Sequence, residues 1–278
     1  MNNRTRPVIL ITNDDGIDSP GLLAAVRCVL DLGEVWVVAP QVQQSGSGRS
    51  FPTHKVEVQE RTLTVEGVSV PAFACNTSPA QAVRHGLLRF VPNPPDLVIS
   101  GINYGENLGG TVTISGTVGA ALEAASFGVP TLAASLETES QYHFGQSTDV
   151  DFRTAAGFVR RFAQWMLAHD LPAGVDLLKL DVPTGARPDT PWRVTRVSRL
   201  PYWVSPVVVD EQGKKHLRGY VREVDLDTLE LDSDVYAIAV DKVVAVCPLT
   251  LDLTARVSLS ELQNTLSAPL EPPISGCP

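Results

Sequence analysis

Short apolar runs alternate with segments of helical spacing along the first part of the chain. Residues 8–11 and 34–39 are apolar runs that predict two buried strands. Between them, apolar residues recur at helical spacing over 20–32, with Pro20 in the first turn and Gly33 just past the end. A strand, a helix and a strand in this order form a βαβ unit, so the pattern predicts an α/β fold with a parallel sheet.

The same alternation continues to about residue 190. A polar loop is expected over 40–50, and alternating residues around Glu66-Gly67 predict a hairpin within 55–74. A helix is predicted from Ser78-Pro79 to Phe90, followed by a strand over 96–100 that leads into a glycine-rich loop over 101–110. A second helix is predicted from Ser115 to Phe127, and further strands over 131–135 and 177–182. Between these strands, a helix over 150–168 is predicted to turn Phe158, Phe162, Trp165 and Met166 toward the core.

The character of the sequence changes after Pro191. Apolar, β-branched runs over 202–209 and 217–224 flank the polar turn Asp210-Glu211-Gln212-Gly213, which predicts a long hairpin standing away from the sheet. A hairpin alone is marginal in water. Packing on a second subunit would bury it, so we predict a homo-oligomer.

Four regions are therefore expected along the chain. Residues 1–190 form an α/β core, and 191–233 form the hairpin arm. Residues 234–267, with strand-like sequence over 235–249 and a helix over 251–266, return to the core or to a partner subunit. Residues 268–278 form a tail that we expect to be disordered, because its prolines prevent regular hydrogen bonding.

Composition narrows the class of protein. Hydrophobic residues make up 44% of the 278 and charged residues 19%, which is typical of a soluble globular protein. The sequence contains no apolar run long enough to span a membrane and no signal peptide, so a cytoplasmic protein without a membrane partner is expected. The four cysteines are scattered and are expected to be reduced. A net charge of −9 argues against a nucleic acid duplex as partner.

Candidate chemistry is concentrated at the ends of the predicted strands. Asp14 and Asp15 follow the first strand, and the loops that contain Ser45 and Asn103 follow the second and third. Ligands of open α/β sheets bind at this edge. Two carboxylates, a hydroxyl and an amide oxygen are hard ligands, suited to Mg²⁺ or Mn²⁺. The alternative is a plain turn, since Asn, Asp and Gly all favour turns.

An anion site is predicted beside this cation site. The helices that begin near Pro20 and Ser115 point backbone amides toward the same edge, and helix amino ends attract anions. A metal together with an anion suggests phosphate chemistry. The alternatives remain that Ser115 is only a helix cap and that Asn103 and Asn107 only shape turns.

Four motifs also resemble a known family. They are Thr-Asn-Asp-Asp-Gly at 12–16, Ala-Pro followed by Gln-Ser-Gly within 39–46, Ser-Gly-Ile-Asn-Tyr-Gly-Glu-Asn-Leu-Gly at 100–109 and Ser-Gly-Thr-Val-Gly-Ala-Ala at 115–121. Their order and spacing resemble the SurE family of survival-protein 5'-nucleotidases. The resemblance continues through 234–237 and 250–254, and departs from the family pattern at Ile114 and at 76–81, which leaves substrate preference open.

The resemblance implies a metal-dependent phosphomonoesterase acting on nucleoside 5'-monophosphates, with 3'-nucleotides and short polyphosphates as further candidate substrates. It implies a three-layer Rossmann-like core and a C-terminal β-hairpin arm exchanged within a homodimer or homotetramer. One Mg²⁺ or Mn²⁺ per subunit is the implied cofactor. The implied metal ligands are Asp14, Asp15, Ser45 and Asn103; the implied substrate-binding residues are Asn107, Ser115, Gly116 and Thr117; and the implied catalytic residues are Asp14, Asn107 and Ser115.

Rival functions fit the sequence less well. A haloacid-dehalogenase type phosphatase expects an acidic residue two positions after its nucleophilic Asp, and Gly16 stands there instead. A dinucleotide-binding dehydrogenase expects G-x-G-x-x-G in the first turn, which is missing. None of the five histidines lies in the four motifs, so a histidine base is not expected. A metal-binding or nucleotide-sensing protein without turnover remains an alternative.

Overall fold

A computed structural model describes residues 6–267 of the chain. Its strands are β1 Val8–Thr12, β2 Glu34–Pro40, β3 Val58–Val65, β4 Val68–Cys75, β5 Leu97–Tyr104, β6 Thr131–Leu136, β7 Leu177–Val182, β8 Trp192–Val194, β9 Trp203–Val204, β10 Val207–Val209, β11 Lys215–Leu217, β12 Val221–Arg222 and β13 Val244–Leu249. Its α-helices are α1 Pro20–Val29, α2 Pro79–His85, α3 Gly116–Ala125, α4 Arg153–Ala168, α5 Asp234–Ala239 and α6 Leu259–Leu266.

The main sheet has nine strands in the order β3-β4-β2-β1-β5-β6-β7-β13-β8. The run from β4 through β7 is parallel, whereas β3 and β13 pair antiparallel with β4 and β7. The chain moves outward from β1 through β2 to β4, and then returns to β5 on the other side of β1. The boundary between β1 and β5 is therefore the switch point at which open α/β sheets bind ligands.

Helices cover both faces of this sheet. Within β1, Ile9 and Ile11 pack with α1 and α4, whereas Val8 and Leu10 pack with α2 and α3 through a separate apolar cluster. Side chains of a strand alternate between its faces, so an entirely apolar β1 is expected when both faces are covered. The predicted three-layer α/β class is confirmed.

The strand β5 is longer than predicted. The sequence places 101–104 in a loop, but the strand continues to Tyr104, with its register against β6 shifted between Ser100 and Asn103. Gly101 makes this irregular passage sterically acceptable, because its φ is +132° and an added Cβ would lie 2.2 Å from the carbonyl oxygen of Ala134. Asn103 is therefore a strand residue, paired with Ser135 beyond the shift.

One strand prediction and two helix predictions need correction. The strand predicted over 235–249 is wrong in its first part, since Asp234–Ala239 is helical. Ser233 caps this helix by accepting a hydrogen bond from the amide of Tyr236 at 3.1 Å, and a local cap of this kind outweighs the β-branched composition. The last helix covers only Leu259–Leu266 of the predicted 251–266. In α4, Trp165 is 41% exposed and does not face the core.

The hairpin arm is present but interrupted. β10 pairs with β11, and β9 pairs with β12, so the ladder opens between Val204 and Val207. Pro206 lies in the gap and has no N–H to donate. Trp192–Val194, which the sequence places in the arm, instead forms an edge strand of the main sheet beside β13.

The C-terminal segment lies apart from the core of its own chain. Every residue from 252 to 267 is exposed. The predicted tail over 268–278 lies outside the described residues. Within 6–267 no helix is long and apolar enough to cross a membrane. The three cysteines in this range, Cys28, Cys75 and Cys247, are free thiols, as predicted.

Candidate active site

The turn after β1 is closed by its own asparagine. The Nδ2 group of Asn13 donates to the carbonyl oxygen of Gly16 at 3.0 Å, and the amide of Gly16 donates back to Asn13 Oδ1 at 3.2 Å. Gly16 has a φ of +100°, which favours glycine. The turn alternative is therefore correct in its geometry. It also holds two buried carboxylates side by side, on Asp14 and Asp15.

Asp14 faces the first turn of α3. The hydroxyl of Thr117 donates a hydrogen bond to Asp14 Oδ1. A Cβ on Gly116 would lie 2.7 Å from Asp14 Cβ and 2.8 Å from Asp14 Oδ2, so only glycine fits between the helix and the carboxylate. Burial raises the pKa of Asp14 to about 6 despite the hydrogen bonds that favour its charged form.

Asp15 is tied to the neighbouring loops. Its Oδ2 accepts a hydrogen bond from the amide of Tyr104, and its Oδ1 accepts one from Gln43 Nε2, each at 3.3 Å. Burial and the adjacent charge of Asp14 raise the pKa of Asp15 well above its ordinary value. No described residue forms an ion pair with either aspartate.

The Ser45 loop lies against this turn, as predicted from its position after β2. The amide of Gln44 donates to the carbonyl oxygen of Asp14 at 2.7 Å, and that of Gly48 donates to the carbonyl oxygen of Ile114 at 3.0 Å. Gln43 Nε2 is 3.0 Å from Ser45 Oγ as well as bonded to Asp15. One side-chain amide therefore links Asp15 to Ser45, two of the four candidate metal ligands.

Asn103, near the end of β5, and Asn107, in the loop after it, are held by different partners. Asn103 Nδ2 donates to the carbonyl oxygen of Gly105 at 2.6 Å, which leaves Asn103 Oδ1 as the group able to bind a cation. Asn107 Nδ2 donates to Ser135 Oγ at 2.8 Å. An amide group has two N–H bonds, so Asn107 keeps a second donor.

Ser115 caps α3, as its alternative interpretation predicted. Its Oγ accepts a hydrogen bond from the amide of Val118 at 3.1 Å. Capping uses the hydroxyl as an acceptor and leaves its own hydrogen free to donate. The amides at the start of α3 are oriented for an anion, and burial of Gly116 without a side chain keeps them close to Asp14.

A cavity of about 340 Å³ brings most of these residues together. Asp14, Ser45, Asn103, Asn107 and Ser115 all line it. Asp15, Gly116 and Thr117 are buried and do not line the cavity. They contact residues that do, Asp15 through Tyr104 and the other two through Asp14. The other lining residues are Gly46, Tyr104, Gly105, Glu106, Thr111, Ile114, His143, Phe144, Trp203, Ser205 and Tyr220.

Sequence reasoning missed the aromatic part of the wall. His143 lies in the cavity although no motif contains it, and the sequence pattern did not identify it as a lining residue. Its Nδ1 is 2.8 Å from the hydroxyl of Tyr220, and its ring packs edge-on against Trp203 at 5.4 Å between centroids. Burial lowers the pKa of His143, which favours the neutral imidazole. Its loop and the arm meet only through tertiary packing, so sequence spacing gives no signal.

Glu106 is a second missed residue. It lies inside the motif at 100–109, but the sequence pattern indicated no role for it. Its Oε1 accepts from the hydroxyl of Tyr202 at 2.7 Å and from Arg222 Nη2 at 2.8 Å, whereas its buried Oε2 has no partner. Burial raises the pKa of Glu106 to about 7. Because Tyr202 and Arg222 belong to the arm, this carboxyl joins the arm to the site.

The donor chemistry of the site fits a hard divalent cation. Asp14 and Asp15 are adjacent buried carboxylates without a basic partner, and a bound cation would offset their repulsion. Ser45 and Asn103 add a hydroxyl and an amide oxygen. No group of three or more His, Cys, Asp and Glu within residues 6–267 is arranged to hold a metal, so a mixed oxygen set is the arrangement available.

Comparison with known proteins places the chain in a family. A family model described as Survival protein SurE matches residues 9–203. The chain belongs to the SurE family. Its SurE relatives include a protein named 5'-nucleotidase SurE from Thermococcus gammatolerans, 41% identical over 261 residues that cover 93% of this chain and 95% of that protein. Another of the same name, from Archaeoglobus fulgidus, is 42% identical over 259 residues covering 92% and 96%.

A solved SurE structure supports the same assignment. The crystal structure of SurE protein from Aquifex aeolicus aligns with a TM-score of 0.77 and 29% identity, covering 94% of this chain and 100% of that one. Every site residue predicted from the sequence lies within the 9–203 match to the SurE model, whereas Ser205 and Tyr220 of the cavity wall, α5 and α6 lie beyond it. The resemblance stated from the motifs is confirmed.

Proposed function

We propose that this chain hydrolyses nucleoside 5'-monophosphates to nucleoside and phosphate with the help of one divalent cation. The observation that supports this most directly is the position of Asp14. Its buried carboxylate lines the cavity at the switch point of the sheet and lies against the amino end of α3. A cation site beside an anion site is the arrangement that phosphate-ester hydrolysis requires.

Asp14, Asp15, Ser45 and Asn103 would hold Mg²⁺ or Mn²⁺. When bound, the ion supplies Lewis acidity toward a phosphate oxygen and a nucleophilic water at neutral pH. Asp14 is also placed to orient that water, because Thr117 fixes one of its oxygens and leaves the other toward Gly116.

The phosphate would bind between the cation site and α3. The free N–H of Asn107 and the hydroxyl hydrogen of Ser115 are the donors available there, beside the amino end of α3, where the amides of Gly116 and Thr117 are directed at Asp14. Donors placed where negative charge develops stabilise the transition state more than the ground state. Asn107 and Ser115 are therefore the proposed catalytic partners of Asp14.

The nucleoside would occupy the outer part of the cavity. His143, Phe144, Trp203 and Tyr220 line that side, and Phe144 is 69% exposed. Aromatic side chains present flat apolar faces on which a nucleobase can stack. The names of the SurE relatives agree with a 5'-nucleotide as substrate.

A substrate panel tests the proposal. Phosphate release is measured from the common nucleoside 5'-monophosphates, 3'-monophosphates, ribose 5-phosphate and tripolyphosphate, with Mg²⁺ or Mn²⁺ and again with excess chelator. The proposal expects the highest kcat/KM with 5'-nucleotides, a lower value with ribose 5-phosphate, and loss of turnover in chelator. Equal kcat/KM with and without a base would refute the nucleoside part. Turnover that persists in chelator would refute the metal part.

We also propose that the protein is a homodimer or homotetramer. Apolar side chains of the arm are exposed on the single chain, including Val207 at 60%, Val209 at 59% and Leu217 at 67%. On α6, Leu259, Leu262 and Leu266 are also exposed. The three leucines of α6 lie three to four positions apart, so they form one apolar stripe that a second copy of the chain could cover.

Light scattering of the full-length protein tests this assembly. Wild type is expected at two or four times the monomer mass. The double substitution Leu259→Glu and Leu262→Glu should reduce that mass, because a charge in the apolar stripe opposes burial. Ser260→Glu with Asn264→Glu adds the same charge on the opposite side of the helix and should leave the mass unchanged. A monomeric wild type would overturn the proposal.

A further inference from the structure

Three buried charged side chains lie beneath the glycine-rich loop that follows β5. Lys179 and Asp181 are two residues apart on β7, so they share a face of the strand, and Asp234 is the first residue of α5. All three are fully buried. Lys179 Nζ forms an ion pair with Asp181 and lies 3.1 Å from Asp234 Oδ2. None of them lines the cavity, and we call them the Lys179 cluster.

The two carboxylates of the cluster accept hydrogen bonds from backbone amides of the loop. Asp181 Oδ1 accepts a hydrogen bond from the backbone amide of Asn107 at 2.9 Å. Asp234 Oδ2 accepts one from the amide of Gly109 at 3.2 Å. The cluster therefore holds two alternate amides of the loop that presents Asn107 to the cavity.

This loop needs an external support. Gly105 and Gly109 both have positive φ values, of +95° and +54°, and Gly110 follows. Glycine has more conformational freedom than any other residue, so ordering such a segment costs more entropy. Hydrogen bonds to buried carboxylates are stronger than neutral ones and offset that cost.

Lys179 favours the ionised form of Asp181, which accepts the hydrogen bond from the Asn107 amide. Burial raises the pKa of Asp181, and Lys179 opposes this rise. Burial alone would lower the pKa of Lys179, but Asp181 and Asp234 raise it above its ordinary value, so the lysine is charged. Without this cation, two buried carboxylates would face each other unpaired.

We propose that Lys179, Asp181 and Asp234 are positioning residues that hold the backbone of Asn107 where its side chain can bind the phosphate. The inference rests on the proposed function, since that function assigns the phosphate to Asn107. Its physical content is the hydrogen bond between the Asn107 amide and the side chain of Asp181, and this bond can be measured without turnover.

Two double variants isolate that bond. Lys179→Met with Asp181→Asn removes both members of the ion pair but keeps a carbonyl oxygen that can accept from the Asn107 amide. Lys179→Met with Asp181→Leu has the same charge and a similar volume but no acceptor. In both, Asp234 keeps its hydrogen bonds from the amides of Gly109, Ser198 and Val235, so a single buried carboxylate remains solvated by donors.

Amide exchange and kinetics are measured on both variants and on wild type. The double variant that carries Asp181→Asn is expected to keep slow exchange over 105–110 and a kcat near wild type. The one that carries Asp181→Leu should show faster exchange there and a kcat about ten- to a hundredfold lower per folded molecule, with a smaller change in KM, because misplacement affects the transition state most. Equal exchange and equal kcat in the two variants would overturn the inference.

Controls separate this inference from general instability and from the proposed function. Arg84 contacts Glu123, Phe51 and Phe127 but no residue of the loop, so Arg84→Met, which removes one of two arginines from the buried Glu123, should lower thermal stability without changing kcat per folded molecule. If wild type releases no phosphate from a 5'-nucleotide, the proposed function fails, and the exchange comparison still decides whether the side chain at position 181 holds the loop. If Asn107→Ala keeps full kcat, the link from loop position to catalysis fails.

Discussion

The hydroxyl of Thr117 donates a hydrogen bond to Oδ1 of Asp14, which joins the first turn of α3 to the turn after β1. The two residues are 103 positions apart in sequence. Thr117 is itself held from the sheet, because Ser100 Oγ donates to its carbonyl oxygen at 2.7 Å. One carboxylate is thereby oriented by two parts of the core at once.

Replacing Thr117 with valine should separate this orientation from packing. Valine has nearly the same volume but no hydroxyl, so Asp14 loses a hydrogen bond that favours its charged form. A hydrogen bond to a charged group contributes about 1.5–3 kcal/mol, so kcat/KM should fall about ten- to a hundredfold in steady-state assays. Thr117→Ser keeps the hydroxyl and should remain near wild type. A valine variant as active as the serine variant would contradict this role.

Replacing Gly116 with alanine should disrupt the contact between α3 and Asp14. The new Cβ would lie 2.7 Å from Asp14 Cβ and 2.9 Å from Ser47 Oγ, and neither neighbour is at the end of a long flexible side chain. Overpacking of this kind costs about 1–3 kcal/mol, and the displaced carboxylate should bind Mn²⁺ more weakly in calorimetric titration. Gly110→Ala is the control, because nothing lies within 4 Å of its added Cβ.

Metal binding should depend on pH through Asp14. The pKa of Asp14 is about 6 in the metal-free folded chain, against an ordinary value of 3.8 that applies to the unfolded chain. At a pH between these two values, the folded chain keeps a proton that the unfolded chain releases. Ionisation of Asp14 therefore destabilises the metal-free protein as the pH rises through this range, and the loss is complete above it. A cation that binds Asp14 must therefore displace this proton below about pH 6, but not at higher pH.

Thermal unfolding with and without Mn²⁺ measures this competition. At about pH 5 the proton should weaken cation binding about tenfold relative to pH 7, which corresponds to roughly 1.4 kcal/mol and about 2–4 °C less stabilisation. The same increase in Tm at both pH values would contradict the placement of the cation on Asp14.

The part of the site closest to the strands could be predicted from the sequence. An apolar run followed by Asn13-Asp14-Asp15 identifies a buried strand and the turn at its end, because both signals are local. The position of the Ser45 loop beside that turn follows from parallel strand order, which places the ends of β1 and β2 at one edge.

The outer wall of the cavity could not be predicted in this way. His143 lies in a loop without apolar periodicity, and Trp203 and Tyr220 come from the two sides of the arm. They meet through packing of the arm on the core, which Arg222 supports by its ion pair with Glu106. The helix Asp234–Ala239 was missed for a related reason. Its apolar composition favours a strand, while a single serine cap and the burial of Asp234 decide the outcome.

The most direct test of the account is the rate of phosphate release from a nucleoside 5'-monophosphate by wild type and by Asp14→Asn, both at saturating Mn²⁺ and neutral pH. Asp18→Asn is the matched control, since Asp18 lies in the same segment but is exposed and paired with Arg61 at 3.0 Å. The account predicts that Asp14→Asn lowers kcat/KM at least about a hundredfold, or about 3 kcal/mol, while Asp18→Asn leaves it unchanged. Equal rates for wild type and Asp14→Asn would contradict it.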